Sequence, residues 1–143
     1  MKKLLILALL LLAPVQAHAS VKGTLINDQT LDADPTSISG TFHTDGKDRT
    51  VIFVHYDETE VGGISAAVTA YISYDETNWL QANFYDYAGA GTLQTSETLT
   101  ADGWYYLALD PNISAPYVKV TVAATGSDSD DTASVTVYHF SRE

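Results

Sequence analysis

The sequence predicts an all-β fold, an antiparallel β-sandwich or jelly roll, and three observations lead to it. The stretch from Ile64 to Tyr85 alternates apolar and polar residues with a period of two, as half-buried strands do. The stretch from Tyr117 to Ala124 alternates in the same way. No helical periodicity occurs beyond the first 19 residues, and turn signals separate short apolar runs throughout. Short strands between frequent turns indicate two packed antiparallel sheets.

The N-terminal segment, residues 1–19, has the features of a secretory signal peptide. Lys2 and Lys3 precede an apolar run from Leu4 to Ala13, and Ala17-His18-Ala19 matches a small-x-small cleavage site. The run is too short to predict a membrane span. We therefore expect the segment to be cleaved. The mature form would then lack a membrane span and lie in the periplasm, at the cell surface or outside the cell.

The rest of the chain, residues 20–143, is predicted to form a single β-sandwich domain, and it is strongly acidic. It holds 5 Lys and Arg against 18 Asp and Glu, a net charge of −13. Such a surface disfavours nucleic acid and anionic membranes as partners and favours cations. There is no cysteine. An exported domain without disulfides depends on its core, or on metal ions and neighbouring subunits, for stability.

The chain before the long hairpin is predicted to contain short strands with turn residues between them. These strands are Val21–Ile26, Thr30–Ala33, Ile38–His43 and Val51–Tyr56. Asn27-Asp28 and Asp45-Gly46 supply turns. Val51–Tyr56 is apolar at nearly every position, which predicts a central strand covered on both sides.

The alternation in the long hairpin also predicts a register. If Ile72 lies opposite Leu80, then Val68 lies opposite Phe84, and both apolar sets point to one core. This leaves Tyr74–Asn78 as a five-residue loop, which is within the usual hairpin range. A slip by one residue would turn one apolar set towards water.

The chain after the hairpin is predicted to contain four further strands. They are Thr92–Thr100, which suits a sheet edge, and Trp104–Leu109, Tyr117–Ala124 and Ala133–Phe140. In the last of these, Val135 and Val137 are predicted to face the core.

Catalytic motifs are absent from the sequence, which disfavours an enzyme. There is no cysteine nucleophile, no G-x-S-x-G and no H-E-x-x-H. His43, His55 and His139 fall on separate strands. Because His55 and His139 share parity with core residues, we interpret them as strand-end histidines on the core side rather than as ligands or general bases. Carboxylates cluster in the loops near Asp57 and Asp75, where we interpret them as solvated surface.

An acidic loop near the C-terminus predicts a candidate calcium site. Asp128, Asp130 and Asp131 offer the hard oxygen ligands that calcium prefers. The spacing differs from an EF-hand, since no glycine stands at the sixth position and no glutamate closes the loop. The alternative is a solvated hairpin loop. No other cofactor is predicted.

Aromatic residues on the outward parity of the hairpin predict a ligand- or partner-binding surface. Tyr71, Trp79 and Tyr85 share this parity with Gln81 and Asn83. Rings beside amides can stack on sugars and bond their hydroxyl groups. The same rings could instead brace neighbouring strands or contact a protein.

Two short motifs carry a resemblance to known proteins. Ser73–Trp79 (SYDETNW) resembles the S-x-D-G-x-x-W hairpin of small β-sandwich modules in phage structural and bacterial surface proteins. Pro116–Val120 (PYVKV) resembles the P-Y-V-R-V strand of such modules. Glu76 stands where these modules often have glycine. The resemblance implies a non-catalytic structural or binding module.

Together these observations predict an exported, non-enzymatic β-sandwich protein that acts in extracellular or cell-surface assembly or in protein binding. Its expected partner is a second copy or a surface protein. One alternative is a carbohydrate-binding module with a glycan ligand. Another is a small secreted hydrolase with an unrecognised carboxylate site.

Overall fold

The computed structural model describes residues 20–32, 36–59, 64–86, 91–125 and 131–143. Within these ranges the chain forms eleven strands and no helix, which confirms the all-β prediction. The strands are β1 (Val21–Asp32), β2 (Ser37–His43), β3 (Arg49–Glu58), β4 (Ala66–Ser73), β5 (Leu80–Ala82), β6 (Phe84–Asp86), β7 (Leu93–Gln94), β8 (Glu97–Leu99), β9 (Gly103–Leu109), β10 (Tyr117–Ala124) and β11 (Thr132–Arg142). The predicted signal peptide lies outside the described residues and stays a prediction. None of the residues described belongs to a helix that could span a membrane.

The strands form two antiparallel sheets, as a β-sandwich requires. The larger sheet has the order β1-β11-β3-β9-β6-β7. The smaller sheet has the order β2-β10-β4-β5, and β8 also pairs with β4. Strands distant in sequence are therefore neighbours in both sheets.

The core lies between the two sheets and is built from alternate residues of each strand. Ile52, Val54 and Leu107 line the larger sheet, and Val120 and Val122 line the smaller one, all without solvent exposure. Along β10 half-buried and buried residues alternate from Tyr117 to Ala123, which confirms that Val118, Val120 and Val122 face the core as predicted; Ala124 is half-buried.

The long hairpin begins in the predicted register and then departs from it. Ile72 pairs with Leu80 as predicted. However, Leu80 is 70% exposed, and β5 ends two residues later. The predicted pairing of Val68 with Phe84 is wrong, because Val68 pairs with Glu97 of β8.

The departure arises because the chain changes sheets at Asn83. Ala82 belongs to the smaller sheet, whereas Phe84 pairs with Leu109 of the larger sheet. Both side chains are fully buried, because the core lies between the sheets and a residue of either sheet can fill it. The apolar alternation therefore predicted the burial of Ala82 and Phe84 correctly but that of Leu80 wrongly, and it did not specify the sheet.

The first strand is longer than predicted, because two short predicted strands join into one. β1 runs along the edge of the larger sheet and is interrupted by register shifts between Thr24 and Gln29. Asp28 has a positive φ of 45° within this irregular stretch. Leu25 lies over Gly40 of the smaller sheet, so closely that an added Cβ on Gly40 would lie 2.5 Å from Leu25 Cγ.

Candidate functional site

The predicted row of aromatic and amide residues is divided between two sides of the sandwich. Tyr71 of β4 and Gln81 of β5 are direct cross-strand partners in the smaller sheet, and Trp79 immediately precedes β5. Tyr85 belongs to β6 in the larger sheet. Asn83 links β5 of the smaller sheet to β6 of the larger sheet, and its carbonyl accepts a hydrogen bond from Asp110 N at 3.1 Å. The structure therefore does not bring these residues into one binding surface.

The rings of Tyr71 and Trp79 hold the side chain of a lysine. Lys119 Nζ lies 4.9 Å from the Tyr71 ring centroid and 4.6 Å from the Trp79 ring centroid. Trp79 Nε1 also donates to the carbonyl of Glu76 at 3.1 Å, and Gln81 Nε2 donates to the carbonyl of Thr95 at 3.0 Å. Cation–π contacts use a ring face. This arrangement supports the interpretation that the rings brace neighbouring strands.

The turn before Trp79 is organised by one carboxylate. Asp75 Oδ1 accepts hydrogen bonds from Asn78 N at 2.8 Å and Thr77 N at 2.9 Å, and Asp75 Oδ2 accepts one from Asn78 Nδ2 at 2.7 Å. These donors hold the pKa of Asp75 well below its usual range. Glu76 has a positive φ of 58°, which explains why related turns carry glycine at this position.

A larger exposed group of rings lies on the outer side of the larger sheet. We call it the aromatic face, and it consists of Phe53, His55, Trp104, Tyr106 and Tyr138. Trp104 is 50% exposed, Tyr106 is 42% exposed and Tyr138 is 37% exposed. All five residues lie on three neighbouring strands, β9, β3 and β11. The surface is therefore formed by rigid sheet positions rather than by a loop.

Ring contacts connect the aromatic face. Phe53 pairs with Tyr106 across the strands, with ring centroids 5.3 Å apart in an edge-to-face arrangement. His55 pairs with Trp104 at 4.7 Å. The Trp104 ring reaches across β3 to stack on Tyr138 at 5.8 Å. Such contacts restrict the side chains to few conformations before any partner arrives.

Sequence reasoning missed this face because it assigned both sides of β3 to the interior. Its inner side is buried in the core, but Val51, Phe53 and His55 on the outer side are only half-buried. The available signal was in β9, where Trp104 and Tyr106 share the parity opposite to buried Leu107.

Basic residues border one end of the aromatic face. Of the five Lys and Arg residues after position 19, three lie here: Lys22, Arg49 and Arg142. Arg49 and Arg142 line a groove of about 580 Å³ beside Tyr85 and Phe140. This end of the sheet therefore gathers three of the five basic residues that follow position 19 in a strongly acidic protein.

The three histidines do not converge. His139 is buried and stacks on Phe42 of the opposite sheet at 4.0 Å, and burial lowers its pKa. The prediction that His139 is a core residue is confirmed. The same prediction for His55 is wrong, because His55 lies on the aromatic face. His43 Nδ1 lies 2.6 Å from Asp45 Oδ1 in an exposed turn.

The predicted calcium site falls largely outside the structure's described ranges. Asp128 and Asp130 lie outside the described residues, and Asp131 is half-buried at the start of the last described range. Elsewhere in the described ranges, no group of three His, Asp or Glu side chains is arranged to hold a metal ion. Calcium at this loop stays a prediction.

Comparisons with known proteins identify the fold but no sequence family. No protein-family model matches the chain, and a comparison with curated proteins finds no match either. Among solved structures, the SPBc2 prophage-derived protein YomS superposes with a TM-score of 0.59 at 13% identity, over 90% of this chain and 97% of YomS. The PBSX exported protein XepA superposes with a TM-score of 0.55 at 12% identity, over 89% of this chain but only 39% of XepA.

These similarities confirm, at the level of the fold, the predicted resemblance to small β-sandwich modules. The carbohydrate-binding module CBM36, solved in complex with calcium and xylotriose, covers 85% of this chain with a TM-score of 0.46 and 13% identity. That likeness is too distant to bear on the ligands of this chain.

Proposed function

We propose that this protein is an exported, non-enzymatic module that binds a protein partner through the aromatic face, in an assembly outside the cytoplasm. The observation that carries the proposal is the set of three adjacent, partly exposed rings of Trp104, Tyr106 and Tyr138. Scattered exposed apolar residues are ordinary on protein surfaces, whereas a contiguous apolar patch indicates an interaction site.

The physical character of the aromatic face supports protein contact. Tyrosine and tryptophan are enriched in the centres of protein interfaces, because they bury a large area and lose little side-chain freedom. The ring contacts between Trp104 and Tyr138, and between Phe53 and Tyr106, already limit that freedom. Binding would then remove the rings from water at a small entropic cost.

The solved structures of the same fold agree with this proposal. One is a prophage-derived protein and the other is an exported protein of similar architecture. Export is also what the Ala17-His18-Ala19 site predicts for this chain. Both similarities concern the fold, so the partner must be argued from the surface of this chain.

Carbohydrate binding is the second candidate function. The structure favours the aromatic face over the hairpin as the surface for it. Tyr71 and Trp79 are engaged by Lys119, whereas half of the Trp104 surface is open to solvent. An open indole ring can stack on a sugar ring. A glycan ligand would therefore contact Trp104 rather than the residues predicted from the hairpin.

The test compares two variants of the secreted protein. The first combines Trp104→Ser with Tyr106→Ser. The control is Tyr74→Ser, since Tyr74 is 87% exposed and lies outside the aromatic face. Particle size by sedimentation velocity and chemical crosslinking to native envelope proteins are measured, after circular dichroism has shown that both variants fold.

We expect the double variant to lose the association that wild type and Tyr74→Ser retain. Equal association in all three proteins would refute the aromatic face as the binding surface. If wild type binds a glycan array and the double variant does not, while protein association is unchanged, the carbohydrate-binding alternative is favoured instead.

A further inference from the structure

We infer that the groove beside Arg49 and Arg142 binds carboxylates of an acidic, partly apolar segment of the partner polypeptide. This inference rests on the proposed function and names the chemistry of the partner. The groove adjoins the aromatic face at the end where the basic residues lie. A partner could therefore contact both surfaces along one side of the sheet.

The two arginines form an unusual cross-strand pair. Arg142 of β11 and Arg49 of β3 are direct partners in the antiparallel register, and both are exposed. Like charges directly opposite each other destabilise a sheet. Across the described ranges, neither guanidinium has a carboxylate within ion-pair distance. A bound carboxylate would neutralise the repulsion and accept two parallel hydrogen bonds from either guanidinium.

Two nearby carboxylates have other contacts. Asp110 Oδ1 accepts hydrogen bonds from Asn112 N at 2.9 Å and from Asn112 Nδ2 at 2.8 Å. Glu143 Oε1 lies 2.7 Å from Lys47 Nζ. The guanidinium donors of the groove therefore remain available to a ligand.

The lining of the groove favours a polypeptide over a sugar. Val51, Tyr85, Ala108, Pro111 and Phe140 supply apolar and aromatic surface. The hydroxyl of Thr50 beneath them is engaged with the hydroxyl of Ser141 at 2.8 Å. No Asn or Gln belongs to the described lining, so its polar groups are mainly the two guanidinium groups and the Tyr85 hydroxyl. The guanidinium groups match carboxylates best, and the apolar remainder of the lining matches apolar side chains better than the hydroxyl groups of a sugar.

The charge distribution favours an acidic partner at this end of the molecule. Because the net charge after position 19 is −13, most of the surface repels acidic polypeptides. Lys22, Arg49 and Arg142 concentrate positive charge at one end of the sheet, where Glu143 is paired with Lys47, while Asp57 lies towards the other end of the same sheet. Such asymmetry fixes the orientation of a partner and increases its association rate.

The test uses fluorescence anisotropy with three probes and the secreted protein. The probes are a labelled peptide of Glu-Glu-Leu repeats, an oligogalacturonate of similar charge, and inorganic phosphate as a competitor. The groove variant is Arg49→Gln with Arg142→Gln. The control is Lys119→Gln, which removes one positive charge from outside the groove and is compared with Arg49→Gln alone; Lys47 is kept because it pairs with Glu143. The Trp104→Ser, Tyr106→Ser variant is titrated in parallel.

We expect saturable peptide binding that weakens at least about 10-fold in the groove variant and less than about 2-fold in the control, because the lost hydrogen bonds are charge-assisted. The binding should also weaken with salt, and the salt dependence should be smaller in the groove variant. Galacturonate and phosphate should compete weakly.

Any of three results in the anisotropy assay would overturn the inference. They are no saturable peptide binding up to about 1 mM, equal weakening by Arg49→Gln and Lys119→Gln, or tighter binding of galacturonate than of peptide. If the groove variant binds native partners normally while the aromatic variant does not, the inference fails and the proposed function stands. If neither variant affects native association, both fail.

Discussion

Val120 offers a direct test of the sandwich core. Its side chain has no solvent exposure, and it lies between Gly40 of β2 and Ala70 of β4 in the smaller sheet. Both cross-strand neighbours are small, so they cannot expand to fill space left by a truncation. The substitution Val120→Ala should therefore leave a cavity rather than a repacked core.

The expected loss follows from the groups that are removed. Val120→Ala deletes two buried carbon groups, worth about 0.8 kcal/mol each in transfer free energy. With the cavity included, the free energy of unfolding should fall by about 2–3 kcal/mol. For a domain of this size, that corresponds to a decrease of roughly 8–12 °C in Tm. Val120→Asp should prevent folding, because an unpaired buried charge costs a large part of a typical stability of about 5–15 kcal/mol.

The assay is urea unfolding followed by tryptophan fluorescence, with Thr121 as the matched position. Thr121 follows Val120 on the same strand but is half-buried on the outer side. Thr121→Ala should change the free energy of unfolding by no more than about 0.5 kcal/mol, and Thr121→Asp should cost far less than Val120→Asp. Equal losses of unfolding free energy at the two positions would show that Val120 and Thr121 do not lie on opposite sides of β10 as described.

Three further predictions concern single contacts. Gly40→Ala should destabilise the domain by about 1–3 kcal/mol in the same urea assay, because the added methyl overlaps Leu25, and an unchanged midpoint would contradict this close packing. Lys119→Met should cost about 0.5–2 kcal/mol and alter the fluorescence of Trp79, whereas an unchanged spectrum would argue against the cation–π contact. Burial lowers the pKa of His139, so the folded state binds fewer protons than the unfolded state, in which a histidine has a pKa of about 6.5. The free energy of unfolding should therefore fall as pH decreases through about 6.5. His139→Leu should reduce this slope, and an identical pH profile would show that other groups cause it.

The sequence predicted which side chains point to the core better than it predicted which strands pair with each other. Alternation in β10 correctly assigned Val118, Val120 and Val122 to the core, because burial on one side imposes a period of two. The register of Ile72 with Leu80 was also correct, since a short loop fixes strands that are close in sequence. These successes depend on local constraints.

The aromatic face, which we propose as the binding surface, could not be predicted in the same way. Whether Phe84 stays with the hairpin or joins the other sheet depends on Leu109, which is distant in sequence. Likewise, Trp104 and Tyr138 become neighbours only because β9 and β11 both flank β3. Sheet order is a tertiary property, so the aromatic face has no continuous sequence pattern.

The pairing of β1 with β11 has a consequence for how the domain folds. Val21 lies opposite Ser141, and β1 has no other strand as a partner in its sheet. A chain that emerges from a translocation channel with β1 first must therefore hold this strand unpaired until β11 has emerged. Closing so long a loop makes the final step slow, since contacts between distant segments form only after the chain has been brought together. The sheet edge at β11 stays open during that interval, so this unclosed form is the one exposed to strand-edge aggregation and to general chaperones.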